Sequence, residues 1–397
     1  MTPEAPRRRI ADRMRNVPGI AVDRMGAAAD RAAREHPDLL RMENLDTDLR
    51  PPPAAVEATR IAIGRDDANS YLPFIGQDAL RHAAAAHVSR LSGVSYDPND
   101  QCLITAGGTN GCLVTLLALV NPGEEVILTD PTYVGMINRV RLAGGVPVLV
   151  PFQWMDGAWR LDTEALENAV SARTKTMFLM SPSMPSGGVL SRAEWECVAG
   201  ICRKADLWLI YNAAMERILY DGQAYVHPAG LPGMAERTIT VGSVSKEFRM
   251  IGWRVGWIVG PAAVLSDIGL AAISDVVTPV GIAQPGAAAA LAAEDSETDL
   301  AAAVAEWKRR RDLMLEEMGD LPLRKAAGGW SMLLDAGVLG LTGAQASLQL
   351  LTKSRIAVTP MENWGIHNGR QFARFVFSNE PVERLRGIGE RVRRALA

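Results

Sequence analysis

At 397 residues, with 48% hydrophobic and 22% charged positions, the chain is long enough for two or three compact units and too apolar to be disordered or fibrous. Its 42 basic and 45 acidic residues leave a net charge of -3, which offers no general field for nucleic acid or an anionic membrane and points to small-molecule partners. Four cysteines without a CxxC pair exclude a disulfide framework and leave no readable metal site.

In chain order, Arg7, Arg8, Arg9, Arg13 and Arg15 make a locally basic start that reads as a solvated arm, because no long apolar run follows it. Residues 1–50 are expected to form an N-terminal arm that packs on a smaller domain or on a partner subunit. Strands are then expected over 101–105, 125–129, 146–150, 176–180, 207–211 and 238–241. Helices are expected over 112–120, 136–143, 161–171 and 191–204, with an alanine-rich helix over 287–293. That alternation requires an α/β domain with a parallel sheet, spanning 51–296. From about Thr298 a long amphipathic helix carries Leu300, Val304 and Trp307. Short strands at 330–334 and 374–377 and a helix from Pro381 complete a smaller α+β domain over 297–397. Cys102, Cys112, Cys197 and Cys202 read as reduced thiols, and with no signal or membrane span in view the expected compartment is the cytoplasm.

The most informative stretch holds Gly242, Ser243, Ser245, Lys246, Gly252, Arg254 and Gly256, just after an apolar strand. A lysine there can form a Schiff base with an aldehyde cofactor. Ser243, Ser245 and Arg254 supply hydroxyls and a charged fork that suit a phosphate. An isolated lysine after a strand would instead be a solvated surface group.

This stretch resembles the lysine motif of fold-type I enzymes that use pyridoxal 5'-phosphate (PLP), and class I/II aminotransferases in particular. The resemblance runs along nearly the whole chain. Thr105 to Gly111 resembles the family's phosphate turn, where backbone N–H groups at a helix start, with Gly108 and Thr109, would hold the phosphate; alone, it reads equally as a tight strand-to-helix connection. Asn121 to Tyr133 matches the next block and puts Tyr133 where an aromatic ring stacks on the pyridine, although alone Tyr133 reads as core. Ser70 to Gly76 resembles the segment whose tyrosine, here Tyr71, reaches the cofactor phosphate of the neighbouring subunit, which implies a homodimer with shared sites. Val358 to Pro360, Trp364-Gly365 and Arg374 to Phe377 resemble the segment whose arginine grips the substrate carboxylate. The alternative for Arg374 is a strand-end charge paired with Glu380. The implied architecture is a three-layer large domain with a mainly parallel sheet plus a smaller α+β domain.

Three positions depart from the family. Asn212 stands where an aspartate normally meets the pyridine nitrogen, Met215 where a tyrosine meets the ring oxygen, and Met184 where an asparagine does. A neutral amide stabilises the ring cation less than a carboxylate, so carbanions beside the ring should be less stabilised, and loss of both oxygen donors should raise the pKa of the Schiff base. Leu45 falls at the family's substrate-segment glycine. Beside it, Glu43 and Asp46 either face a basic substrate side chain or lie on a solvated loop.

The resulting expectation is transamination between an amino acid and a 2-oxo acid, with Lys246 moving the α-proton. The altered ring contacts leave racemisation, elimination, cyclisation or oxidation as alternatives, and a catalytically reduced binding protein as a further one. A nucleotide-binding protein is disfavoured, because neither GxGxxG nor GxxxxGK[ST] follows a strand.

Overall fold

The computed structural model describes residues 11–19 and 21–397; Arg7, Arg8 and Arg9 lie outside the described residues. Among these, the strands are β1 (Leu40–Met42), β2 (Cys102–Thr105), β3 (Glu125–Asp130), β4 (Val146–Met155), β5 (Ala158–Leu161), β6 (Thr174–Met180), β7 (Trp208–Asn212), β8 (Thr238–Ser243), β9 (Gly256–Val259), β10 (Leu323–Arg324), β11 (Ser331–Asp335), β12 (Ile356–Pro360) and β13 (Phe372–Val376).

Residues of β2, β3, β8 and β9 are buried along their whole length, which requires cover on both faces of their sheet. The sheet order is β2-β9-β8-β7-β6-β3-β4-β5. Strands β3, β4, β6, β7 and β8 run parallel, whereas β9 is antiparallel to both its neighbours and β5 to β4. Because side chains alternate along a strand, Ile127, Met177, Leu179, Leu209 and Tyr211 face one apolar layer with Trp195 and Val198 of the helix Arg192–Lys204. Val126, Leu128, Phe178 and Ile210 face the other, with Val114 and Leu116 of the helix Gly108–Leu119. Helix, sheet and helix thus form three layers, as expected.

A second sheet, ordered β1-β12-β13-β11-β10, packs under the helix Ser296–Glu317 through Trp307, Trp330, Met332 and Phe375. β1 enters it by pairing parallel with β12, so the start of the chain supplies an edge strand.

Several boundaries differ from the sequence expectation. The helix expected from residue 112 begins at Gly108, since Gly107 at φ +87° turns the chain directly into it. Leu161 is a strand residue, and the helix after it is Thr163–Asn168, capped by Asp162. The expected strand at 146–150 continues to Met155 and folds back through Asp156-Gly157, both at positive φ, into β5. The last helix is broken at Arg386-Gly387 into Val382–Leu385 and Ile388–Leu396, with Gly387 at φ +77°.

Candidate active site

Strands β3, β6, β7 and β8 are parallel, so their C-terminal ends open along one edge of the sheet, where ligands of open α/β sheets bind. A cavity of about 410 Å³ lies at that edge. Met180 at the end of β6, Asn212 at the end of β7 and Lys246 just beyond β8 line it, together with Thr109, Tyr133, Met184 and Met215. The second sheet contributes Arg374 from β13, and the segment after β1 contributes Asn44 and Leu45.

The Lys246 side chain is half-buried in this cavity. Its Nζ donates to the Leu45 carbonyl at 2.6 Å and lies 4.9 Å from the centroid of the Trp330 ring. Burial pushes its pKa down to about 7; Asp46 pulls the other way, while Arg374 and Arg254 reinforce the drop. At neutral pH a substantial fraction is therefore free amine, the form that acts as nucleophile or base.

Arg374 is 1% exposed and pairs with no carboxylate among the described residues. Its Nη2 donates to the Glu43 carbonyl and to Thr359 Oγ1, its guanidinium carbon lies 4.9 Å from the centroid of the Trp364 ring, and its Nε has no partner. Burial pushes its pKa down to about 10, so it remains a cation at neutral pH. Glu380 instead accepts from the Arg41 N–H and pairs with Arg384, so the expected alternative for Arg374 does not hold. A buried guanidinium with an unpaired nitrogen is costly unless an anion from outside completes it.

Trp364 is held in place from β3. Asp130, fully buried, accepts from the N–H groups of Ile366, His367 and Asn368 at 3.1, 2.9 and 3.2 Å. The loop so fixed brings the Trp364 ring to 5.4 Å from that of Tyr133. Gly135 makes room for Tyr133: a Cβ there would lie 2.4 Å from the tyrosine ring.

At the other end, the helix Gly108–Leu119 starts with N–H groups that have no intrahelical acceptor. Close backbone packing builds this end. A Cβ on Gly256 would lie 2.5 Å from the Gly108 nitrogen, and one on Gly108 would lie 3.4 Å from Ser243 Cβ. Ser243 and Ser245 are buried beside it, and Arg254, in the left-handed conformation at φ 55°, reaches Thr109 Oγ1 at 3.5 Å.

Lys246, Thr109, Tyr133, Asn212, Met184, Met215, Leu45 and Arg374 thus meet at one cavity, with Gly108, Ser243, Ser245 and Arg254 along its edge. Tyr71 does not line it and is 84% exposed. Glu43 and Asp46 do not line it either: Glu43 is buried against Arg41, and Asp46 is exposed. The solvated-loop alternative fits Asp46, whereas the Glu43 carboxylate turns to Arg41 and does not face the cavity. Sequence reasoning missed the site contacts of Trp330, Val22 and Asp23, and named Trp364 only as part of the segment that carries Arg374. Their roles depend on contacts between segments far apart in the chain, and no local pattern announces them.

The model of the family described as aminotransferase class I and II matches residues 40–388. The chain is a class I/II aminotransferase. Its relatives include the arginine–pyruvate transaminase of Pseudomonas aeruginosa, 36% identical over 298 residues, covering 74% of this chain and 75% of that one. The probable N-succinyldiaminopimelate aminotransferase of Mycobacterium tuberculosis is 35% identical over 314 residues, 78% of each chain. Among solved structures, the N-succinyldiaminopimelate aminotransferase of M. tuberculosis superposes with a TM-score of 0.90 at 30% identity, covering 98% of this chain and 100% of that one. The Thermus thermophilus aspartate aminotransferase with maleate gives 0.91 at 28% identity, with the same coverage. This aminotransferase has the fold-type I architecture and transfers an amino group between an amino acid and a 2-oxo acid; the alternatives to transamination are not favoured. The family is generally PLP-dependent. No helix among the described residues is long and apolar enough to cross a membrane.

Proposed function

We propose that this aminotransferase holds PLP in the cavity at the sheet edge, bound covalently through Lys246. The observation that carries the reading is the Lys246 amine, its pKa down to about 7, in a cavity with a helix start along one edge and the incompletely paired Arg374 in its wall. The residues fit the group. The open N–H groups of Gly108 and Thr109, the Ser243 and Ser245 hydroxyls and the Arg254 fork suit the phosphate, and Tyr133 suits the ring face.

When bound, the cofactor supplies an aldehyde for the amino group and a ring that accepts electron density. Lys246 Nζ, as free amine, moves the proton of the substrate Cα. Arg374 anchors the α-carboxylate through its unpaired Nε and so fixes which substrate bond faces Lys246. At the ring end the chain offers a neutral amide and two thioethers. Asn212 Oδ1 accepts from the Ala214 N–H at 3.2 Å, which leaves Nδ2 to donate into the cavity. A neutral donor supports an unprotonated ring nitrogen, and Met184 and Met215 give the ring oxygen no strong donor.

A titration of cofactor-stripped protein with PLP, followed by absorbance, tests the assignment. Wild-type protein should bind stoichiometrically, and Arg254→Ala about 10- to 100-fold more weakly, the loss expected for a charged hydrogen bond to phosphate. Equal affinity in both proteins would remove Arg254 from the phosphate site.

The proposal includes a cytoplasmic homodimer whose sites use the partner subunit's Tyr71. The exposed Tyr71, Phe74, Val277 and Val280 lie on neighbouring segments, joined where Gly281 abuts Ala68 and Leu72, and support an apolar interaction surface there. Free cysteines support a reducing compartment, with burial pushing the Cys102, Cys112 and Cys202 thiols up to about 12. Mixing Tyr71→Ala with Lys246→Ala protein under subunit exchange should restore about a quarter of wild-type sites, because each heterodimer rebuilds one complete site. No recovery despite exchange would place Tyr71 outside the partner's site.

A further inference from the structure

The cavity wall carries a carboxylate that the transamination chemistry does not use. Asp23, in the first turn of the helix Ala21–Glu35, is the one carboxylate lining the cavity among the described residues. It is exposed and makes no hydrogen bond or ion pair among them. Its acidic neighbours in the chain are neutralised differently. Asp30 and Glu43 both pair with Arg41, and Asp38 pairs with Arg355. Asp23 and Glu35 are left open among the described residues, and of the two only Asp23 lines the cavity.

The two cations of the wall, Lys246 and Arg374, already have tasks at the substrate amine and α-carboxylate. No further lysine, arginine or histidine of this chain lines the cavity among the described residues. A second carboxylate on a substrate therefore finds no further cation in this lining among the described residues, whereas a cationic side-chain end finds Asp23. The same wall offers the apolar Val22, Leu45, Met184 and Met215, suited to a methylene stem, beside the polar Asn44, Thr109 and Asn212. We propose that Asp23 is a specificity-determining residue that selects amino acids with a cationic side chain, of the arginine, lysine and ornithine kind. The inference rests on the assignment of this cavity as the amino acid site.

A carboxylate in a first helical turn also complements the positive end of the helix. That role stabilises the helix equally for every substrate, so it leaves the ratio between substrates unchanged. The test is the ratio of kcat/KM for arginine to that for leucine, in wild-type holoenzyme, Asp23→Asn and Asp23→Lys. In Asp23→Asn the ratio should fall about five- to tenfold, through KM for arginine rather than kcat, as expected when a water-screened charge is lost. In Asp23→Lys it should fall further, with glutamate gaining relative to leucine. An unchanged ratio in both variants overturns the proposal. Calorimetric binding of arginine and leucine to the same proteins separates this from failure of the site assignment. Absence of turnover with every amino acid sinks the latter, while selective binding of arginine that Asp23→Asn abolishes supports Asp23, and equal binding overturns it.

Discussion

The Lys246→Ala protein is expected to transaminate about 10,000-fold more slowly than wild type, because it loses both the covalent anchor and the group that moves the α-proton. The environment of the amine adds a pH signature. Nζ has no carboxylate partner, and burial holds its pKa down to about 7. Capture of PLP by stripped protein should therefore quicken as pH rises through 7 and level off above it. Stability should move in a linked way. With the folded-state pKa depressed below the unfolded value, the cost of burying the charge is fully present below about pH 7, shrinks between 7 and 10.5, and is absent above. Stripped Lys246→Met protein should accordingly be more stable than stripped wild type at pH 6, by up to roughly 5 kcal/mol less the lost Leu45 hydrogen bond, with the gain fading by pH 10. Urea titration at the two pH values measures this, and a pH-independent difference would contradict the buried charge.

Arg374→Met should lower kcat/KM by about 100- to 1,000-fold, since a charge-assisted fork to the substrate carboxylate is worth 2–5 kcal/mol. Arg374→Lys should recover little of it, because a point charge on a flexible stem cannot reproduce the fork. Fold stability should not fall with activity. The guanidinium is buried, pairs with no carboxylate among the described residues, and leaves Nε unsatisfied, so an apolar replacement of similar length removes a cost along with the Glu43 and Thr359 contacts. Thermal unfolding of Arg374→Met at or above the wild-type midpoint is the expected result. Unfolding well below it would assign Arg374 to the scaffold.

The parts of the site that were legible in the sequence are those where backbone geometry restricts the residue type. Gly107 at φ +87°, and Gly256 pressed against the Gly108 nitrogen, leave no room for a side chain, so the lysine motif and the phosphate turn carry their glycines visibly. The departures at Asn212 and Met215 were equally readable. Met215 does line the cavity, while Glu216 is buried and Arg217 pairs with Glu247. The antiparallel β9 was hidden, because its four residues follow the motif without the apolar length that marks a strand. The β4–β5 hairpin had a signal, the Asp156-Gly157 pair, which a helix reading of 161–171 overrode. The places of Asp23 in the cavity wall and of the Trp330 ring beside Lys246 were beyond reach, since both come from packing between the second sheet, the first helix and the large sheet.

The measurement that bears most directly on the central claim is borohydride reduction of PLP-loaded protein followed by peptide mass mapping. Reduction fixes the lysine–cofactor bond in place. The expected result is one modified peptide, the one carrying Lys246, and no modified peptide when Lys246→Ala protein is loaded instead. Modification at any other lysine, or none at stoichiometric PLP, would contradict the placement of the cofactor in this cavity.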